Sequence, residues 1–429
     1  MGNNFCPNCG KEASGTSFCA HCGASQATNP TERFTYDWWC HAGSPRHENF
    51  NRLERTINRE TIQGLRPRWA TRIGGGVHNQ AIVVQGHVYF GSGKERGVYC
   101  LDALTGKQLW VNIETGIYNS NSGTLIGAPA VVGPWLYCSY DYGPIWRLDA
   151  KTGLPDENAH VGGNGQSGTY DTLVCDESDL YAVDYNMDMI QITPINDPSK
   201  NLDWQPGNPY GHKLKTSPGQ PAAPAIADGR MIMATSDGYL DIYTRGSLIK
   251  SVKPPKNIFP YAFEGHESDQ DDDSDAKLTV TDGTYALCRL NSFLSGSDDL
   301  GIINAYDIAK GKFIWQYSKR DVLFTDVALS PNAAVCADSA GVVHALDPKS
   351  GRIIWKQSVQ DCGAINGTPL IVGDLVYFVG ENGLVAALDS TDGSLVWSDQ
   401  VGYKLYGAPT VCSGYLYFGS EYGLHAYSL

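Results

Sequence analysis

Short apolar runs separated by turn residues recur along most of the chain, a pattern of strands joined by tight turns rather than of helices. The clearest stretch reads Gly367-Thr368-Pro369-Leu370-Ile371-Val372-Gly373-Asp374-Leu375-Val376-Tyr377-Phe378, then Gly383-Leu384-Val385-Ala386-Ala387-Leu388-Asp389, then Thr391-Asp392-Gly393 and finally Val396-Trp397. It predicts three strands and a fourth, edge strand. The same frame returns at residues 83–90 with Leu101-Asp102, Thr105-Gly106 and Trp110, and at residues 128–133 with Leu148-Asp149 and Thr152-Gly153. Further copies place Asp307, Gly311 and Trp315, then Asp347, Gly351 and Trp355. Asp102 and Asp149 lie 47 residues apart and Asp307 and Asp347 lie 40 apart. That period is the one expected of propeller blades, each a sheet too small to bury its own faces.

Weaker copies at residues 173–193 and 223–243 and a truncated one beginning at Gly407 bring the count to eight. The expectation is an all-β fold, an eight-bladed β-propeller of four-stranded antiparallel blades. In the Asp-x-x-Thr-Gly corner the carboxylate accepts backbone N–H bonds while Gly takes the positive φ of the turn. The trailing Trp supplies a buried plate between sheets. The last copy ends without a corner or a Trp, so residues 65–72, which carry Trp69, are expected to add as its outer strand, with Pro67 at an edge where a lost donor is tolerated. The division is a head at 1–30, a connecting arm at 31–64 and the propeller at 65–429. An insertion holds the acidic run 267–275; Asp269, Asp271 and Asp273 imitate the start of a calcium loop, but neither Gly nor Glu follows where one is required, so it reads as a solvated loop.

Acidic residues outnumber basic ones 46 to 32, for a net charge of −14, which argues against nucleic acid as a partner. No stretch is long and apolar enough for a membrane span and no export signal opens the chain, so the expected location is the cytoplasm, with no direct membrane insertion. Of 12 cysteines, Cys6, Cys9, Cys19 and Cys22 form two Cys-x-x-Cys knuckles, each followed by Gly. Four thiolates at that spacing surround one structural Zn²⁺ and staple a segment too small to hold a core. His21 is a spacer. Cys100, Cys138, Cys175, Cys288, Cys336 and Cys412 fall inside predicted strands and read as small buried hydrophobes; Cys40 and Cys362 have no activating neighbour, and no partner is assignable to Cys40-His41.

The knuckle pair resembles zinc-ribbon heads that mediate protein contacts. The blades, of the form Ala-Pro-x-Val-x-x-Gly-x-Leu-Tyr and Ala-Leu-Asp-x-x-Thr-Gly-x-x-x-Trp, resemble the pyrroloquinoline quinone (PQQ) enzyme repeat family. Residues 37–46, Thr56-Ile57-Asn58 and Leu65-Arg66-Pro67-Arg68-Trp69 are similar to the lead-in of polyvinyl-alcohol-dehydrogenase-like members. Enzymes of that family hold a quinone on calcium in the central funnel. The chain has no Cys-x-x-Cys-His haem motif and no vicinal cysteine pair, and no family ligand transfers residue by residue. The expected function is therefore a non-catalytic scaffold mediating protein–protein interaction in a multi-subunit assembly, with the zinc head as a second docking module. The alternative is a PQQ- and calcium-dependent alcohol or aldehyde dehydrogenase.

Overall fold

A computed structural model describes residues 37–429 apart from 93–96, 114–127, 140–144, 162–172, 177–178, 185–188, 195–211, 216–221, 236–237, 245–246, 254, 256–273, 276–278 and 293–298. Among the described residues there is no α-helix, and the helical turns His41–Gly43 and Ile62–Gly64 are 3-10. Their strands sort into eight sheets. The first is Ile82–Val84, His87–Gly91, Gly97–Asp102 and Gln108–Ile113, antiparallel in chain order. The leading strands of successive sheets touch, Ile82–Val84 against Ala130–Val132 and Leu370–Val372 against Leu405–Cys412, so each sheet radiates from an inner strand to an outer one. This is the construction of a multi-bladed propeller.

Burial follows that radius. Ile82–Val84, Ala130–Val132 and Leu370–Val372 are buried throughout, whereas the outer strands Ile353–Ser358 and Leu395–Gln400 bury chiefly the tryptophan. Inner strands lie between neighbouring sheets and so read as unbroken apolar runs; outer strands meet water on their free edge.

The corner motif works locally and between sheets. Asp347 accepts the Ser350 N–H and hydroxyl, both at 2.8 Å, and Asp102 accepts the same two groups of Thr105 at 2.8 and 2.7 Å. Gly351 and Gly393 follow with φ of 68° and 75°. These two glycines answer a second demand that their sequence context does not display. A Cβ on Gly351 would lie 2.6 Å from the Trp315 ring, and one on Gly393 would lie 2.5 Å from Trp355. Trp69, Trp110, Trp315 and Trp355 each lie against the corner glycine of the next sheet, and the last two donate their indole N–H to a corner carbonyl, Trp315 to Pro348 at 3.0 Å and Trp355 to Ser390 at 2.9 Å. Burying one such ring contributes roughly 4 kcal/mol before entropic costs.

Arg66–Arg72 pairs antiparallel with Gly423–Ser428, with a register shift between Pro67 and Trp69. Trp69 supplies the plate that the last repeat lacks: its indole N–H reaches the Ala103 carbonyl at 3.2 Å and its ring lies on Gly106. Strands from the two ends of the described chain thus share one sheet and lock it to the first. Residues 37–51, polar in composition and expected within a connecting arm, pack inside: Trp38, Trp39, Cys40, His47, Glu48, Asn49 and Asn51 are each less than 7% exposed. The reason lies in their backbone, which pairs with the inner strands.

Candidate functional site

The axis of a propeller is where ligands are usually taken, because inner strands leave one edge of N–H and C=O groups facing the channel. Here the arm uses that edge. Trp38 and Val83 exchange two backbone hydrogen bonds of 2.7 and 2.9 Å, and the Trp39 carbonyl accepts the Val131 N–H at 2.8 Å. The Pro45 carbonyl takes Ile226 at 2.7 Å, Arg46 takes Thr281 at 3.0 Å, Glu48 takes Leu329 at 2.7 Å and Asn49 takes Ile371 at 3.0 Å. Phe50–Asn51 then runs parallel to Leu370–Val372, and Asn51 Nδ2 donates to the Val411 carbonyl at 2.6 Å. With the sheets numbered by their innermost strands, Ile82–Val84, Ala130–Val132, Val174–Cys175, Ala225–Ala227, Thr279–Thr281, Ala328–Leu329, Leu370–Val372 and Leu405–Cys412, these contacts visit the first, second, fourth, fifth, sixth, seventh and eighth in order. The arm circles the axis in the same sense as the blades.

Such a tight path needs unusual backbone angles. Ala42, His47 and Asn49 have φ of 54°, 57° and 43°, a left-handed region costly to residues with a Cβ. Side chains hold the curl in place. Gln80 accepts the Ala42 N–H at 2.7 Å and donates to Asn49 Oδ1 and the Pro409 carbonyl, both at 3.0 Å. Asn49 Nδ2 donates to the carbonyls of Thr368 at 3.3 Å and Pro369 at 2.5 Å.

Two imidazoles stand in this path. His47 donates its Nδ1–H to the Thr279 carbonyl at 3.0 Å, and its ring meets that of His41 edge-on, with centroids 6.5 Å apart. Burial drives His41 down to about 4 and His47 to about 3, with the neighbouring His41 lowering His47 further. Both are neutral at pH 7. Asp326 opposes the shift in each but is itself held by Arg289 at 2.9 Å. A quinone held on calcium requires converging carboxylates and amides free to ligate. The described donors of this path are engaged elsewhere, Asp326 by Arg289, Asn49 and Gln80 by each other, and Asn51 by Val411. These four side chains are therefore already partnered.

A second buried network joins the fifth and sixth sheets. Asp338 lies 2.8 Å from His344 Nε2 and 2.7 Å from Lys319 Nζ, and His344 Nδ1 meets the Tyr317 hydroxyl at 3.0 Å. Burial opposes ionisation of Asp338, but hydrogen bonds from His344 and Lys319 hold it down at about 2. The eighth sheet places Ser420 and His425 at the corresponding positions, 2.8 Å apart. The network also ties the Asp338 carboxylate to the Ala340 and Val342 N–H groups, which makes it a brace for that turn.

The sequence expectation was blind to His47, Gln80, Asn49 and Asp338; none sits in a repeat motif. Cys6, Cys9, Cys19, Cys22 and the run 267–273 lie outside the described residues, while Ser274–Asp275 pairs with Asn291 and Ser292. Among the described residues no group of three or more His, Cys, Asp or Glu side chains is placed to hold a metal ion. The eight described cysteines are all buried thiols, none of them in a disulfide. Burial raises the Cys40 thiol well above its usual range and raises Cys362 to about 11, so neither is an activated nucleophile at neutral pH.

Among solved structures, the computationally designed Ika8 protein is similar over 85% of this chain and 99% of its own, at 13% identity and a TM-score of 0.62. BamB from Moraxella catarrhalis is similar over 85% and 98%, at 16% identity and a TM-score of 0.56. A europium-containing methanol dehydrogenase is similar over 91% of each chain, at 13% identity and a TM-score of 0.50. At these identities the likeness is one of fold. No curated protein matches the sequence. A family model described as outer membrane protein assembly factor BamB matches residues 63–246 and 299–425. With that match running through the repeats from the closing strand to the last sheet, the chain belongs to the family of the outer membrane protein assembly factor BamB.

Proposed function

We propose that the protein is a non-catalytic scaffold, an eight-bladed propeller that presents a rigid rim and faces to protein partners within a larger assembly. The observation that carries this reading is the arm in the channel: residues 37–51 take up the inner-strand edge through backbone bonds to six sheets, and the Asn51 side chain reaches a seventh. The description of the family as an assembly factor supports the same reading. Cys6, Cys9, Cys19 and Cys22 are proposed to bind one structural Zn²⁺ and to make the head a second docking module; metal analysis should find one zinc per chain, lost on Cys9→Ser. Location in the cytoplasm remains part of the proposal. The test of the scaffold reading is titration of the purified full chain with PQQ and Ca²⁺, followed by absorbance and by dye reduction with alcohols and aldehydes. No saturable binding at micromolar quinone is expected. Calcium-dependent binding with dye reduction would favour a dehydrogenase instead.

A further inference from the structure

Charge is unevenly spread over the molecule. Against a net charge of −14, residues 52–72 carry six arginines, Arg52, Arg55, Arg59, Arg66, Arg68 and Arg72, with no lysine and only Glu54 and Glu60 as acids. All six arginines are exposed. Glu54 is 3% exposed and its carboxylate accepts the N–H groups of Thr56, Ile57 and Gly414. Arg52 binds Glu48 at 2.8 Å and Arg59 meets Asp389. The other four meet no Asp or Glu among the described residues: Arg55 and Arg66 donate to nearby backbone carbonyls, and Arg68 donates to Ser428 Oγ and to a main-chain oxygen of Leu429. Arg66, Arg68 and Arg72 lie on the outermost strand of the closing sheet, whose outer edge no described strand pairs.

Charged residues on a strand edge discourage unwanted pairing, and lysine serves that purpose well. An all-arginine set differs in chemistry, because a guanidinium presents a planar fork matched to a carboxylate. With 46 Asp and Glu in the chain, four such forks without an Asp or Glu partner among the described residues form a surface suited to an acidic ligand. We propose that the rim made by Arg55, Arg66, Arg68 and Arg72 docks an acidic peptide segment of a protein partner. This rests on the scaffold reading and supplies the chemistry of its partner. Pro67 lacks an N–H and the ladder shifts register beside it, so the edge is a poor template for strand addition and side chains make the recognition. Each exposed pair contributes little and weakens with salt, so the four act together.

The test is fluorescence anisotropy of the full chain with a labelled Glu/Asp peptide of about twelve residues, against a Gln/Asn peptide of the same length, at about 50 and 300 mM salt. The acidic peptide should bind at least about tenfold more tightly at low salt and lose most of that preference at high salt. The variant Arg55→Gln/Arg66→Gln/Arg68→Gln/Arg72→Gln, with circular dichroism and melting unchanged, should lose the preference. Arg55→Gln/Arg72→Gln, which spares the Arg66 and Arg68 contacts, should give an intermediate value and serves if the fourfold variant does not fold. Equal binding of the two peptides, or a preference kept in the variants, would overturn the proposal. Arginine-dependent binding to phosphatidylserine vesicles without peptide binding, or arginine-dependent self-association at low salt, would also overturn it by making the occupant a membrane or a second copy. The quinone titration is a separate readout, so failure here leaves the scaffold reading standing.

Discussion

At the scale of single residues, the two demands on a corner glycine separate experimentally. Gly393 has φ of 75° and Trp355 against it, whereas Gly373 of the same sheet has φ of 57° and nothing within 4 Å of a Cβ. Gly373→Ala should cost about 1 kcal/mol for backbone conformation, and Gly393→Ala about 3 kcal/mol or more because the ring must also move. Urea unfolding measures both; equal costs would show that the tryptophan contact contributes nothing. The buried imidazole of His47 makes a second test. Its folded pKa of about 3 lies below the ordinary 6.5, so below pH 6.5 the unfolded chain binds a proton that the folded chain refuses. The stability owed to neutral His47 is complete above pH 6.5 and is lost as pH falls toward 3, by about 2 kcal/mol at pH 5. His47→Gln should remove that part of the slope between pH 7 and 5, and identical slopes for the two proteins would refute the assignment. The corner residues were legible because five copies repeat an Asp four residues before a Gly. His47 was not, since one imidazole in a polar stretch carries no period.

At the scale of elements, Trp69 lets Arg66–Arg72 complete the last sheet by lying on Gly106 and bonding Ala103. Trp69→Ala should cost about 3–4 kcal/mol in thermal or urea unfolding; a cost no larger than that of a surface substitution would mean that the sheet holds without it. This strand could be read from the sequence because the final repeat ends one Trp short. The arm could not be read in the same way. Its bonds to the inner strands run through the carbonyls of Trp39, Pro45, Arg46, Glu48 and Asn49, so the side-chain pattern that betrays a strand is missing. Polar letters that read as a linker are buried because Gln80, Asn49, Glu54 and Asn51 find partners in turns and on inner-strand edges far away in the chain.

At the scale of the whole molecule, a ring of small sheets gains rigidity from whatever couples its members, and here tryptophans couple neighbours while the arm touches almost all of them. A channel so occupied suits a protein that works through its surface, and the exposed arginines of the closing strand give that surface a chemical preference. Much of this rests on residues 37–51 being inside the ring in solution. Amide hydrogen exchange on the full-length protein, read peptide by peptide, tests it most directly. The account predicts that residues 37–51 and the amides of Val131, Ile226, Leu329 and Ile371 exchange as slowly as the central strands. Exchange of that segment at the rate of open chain, with the inner-strand amides unprotected, would contradict it.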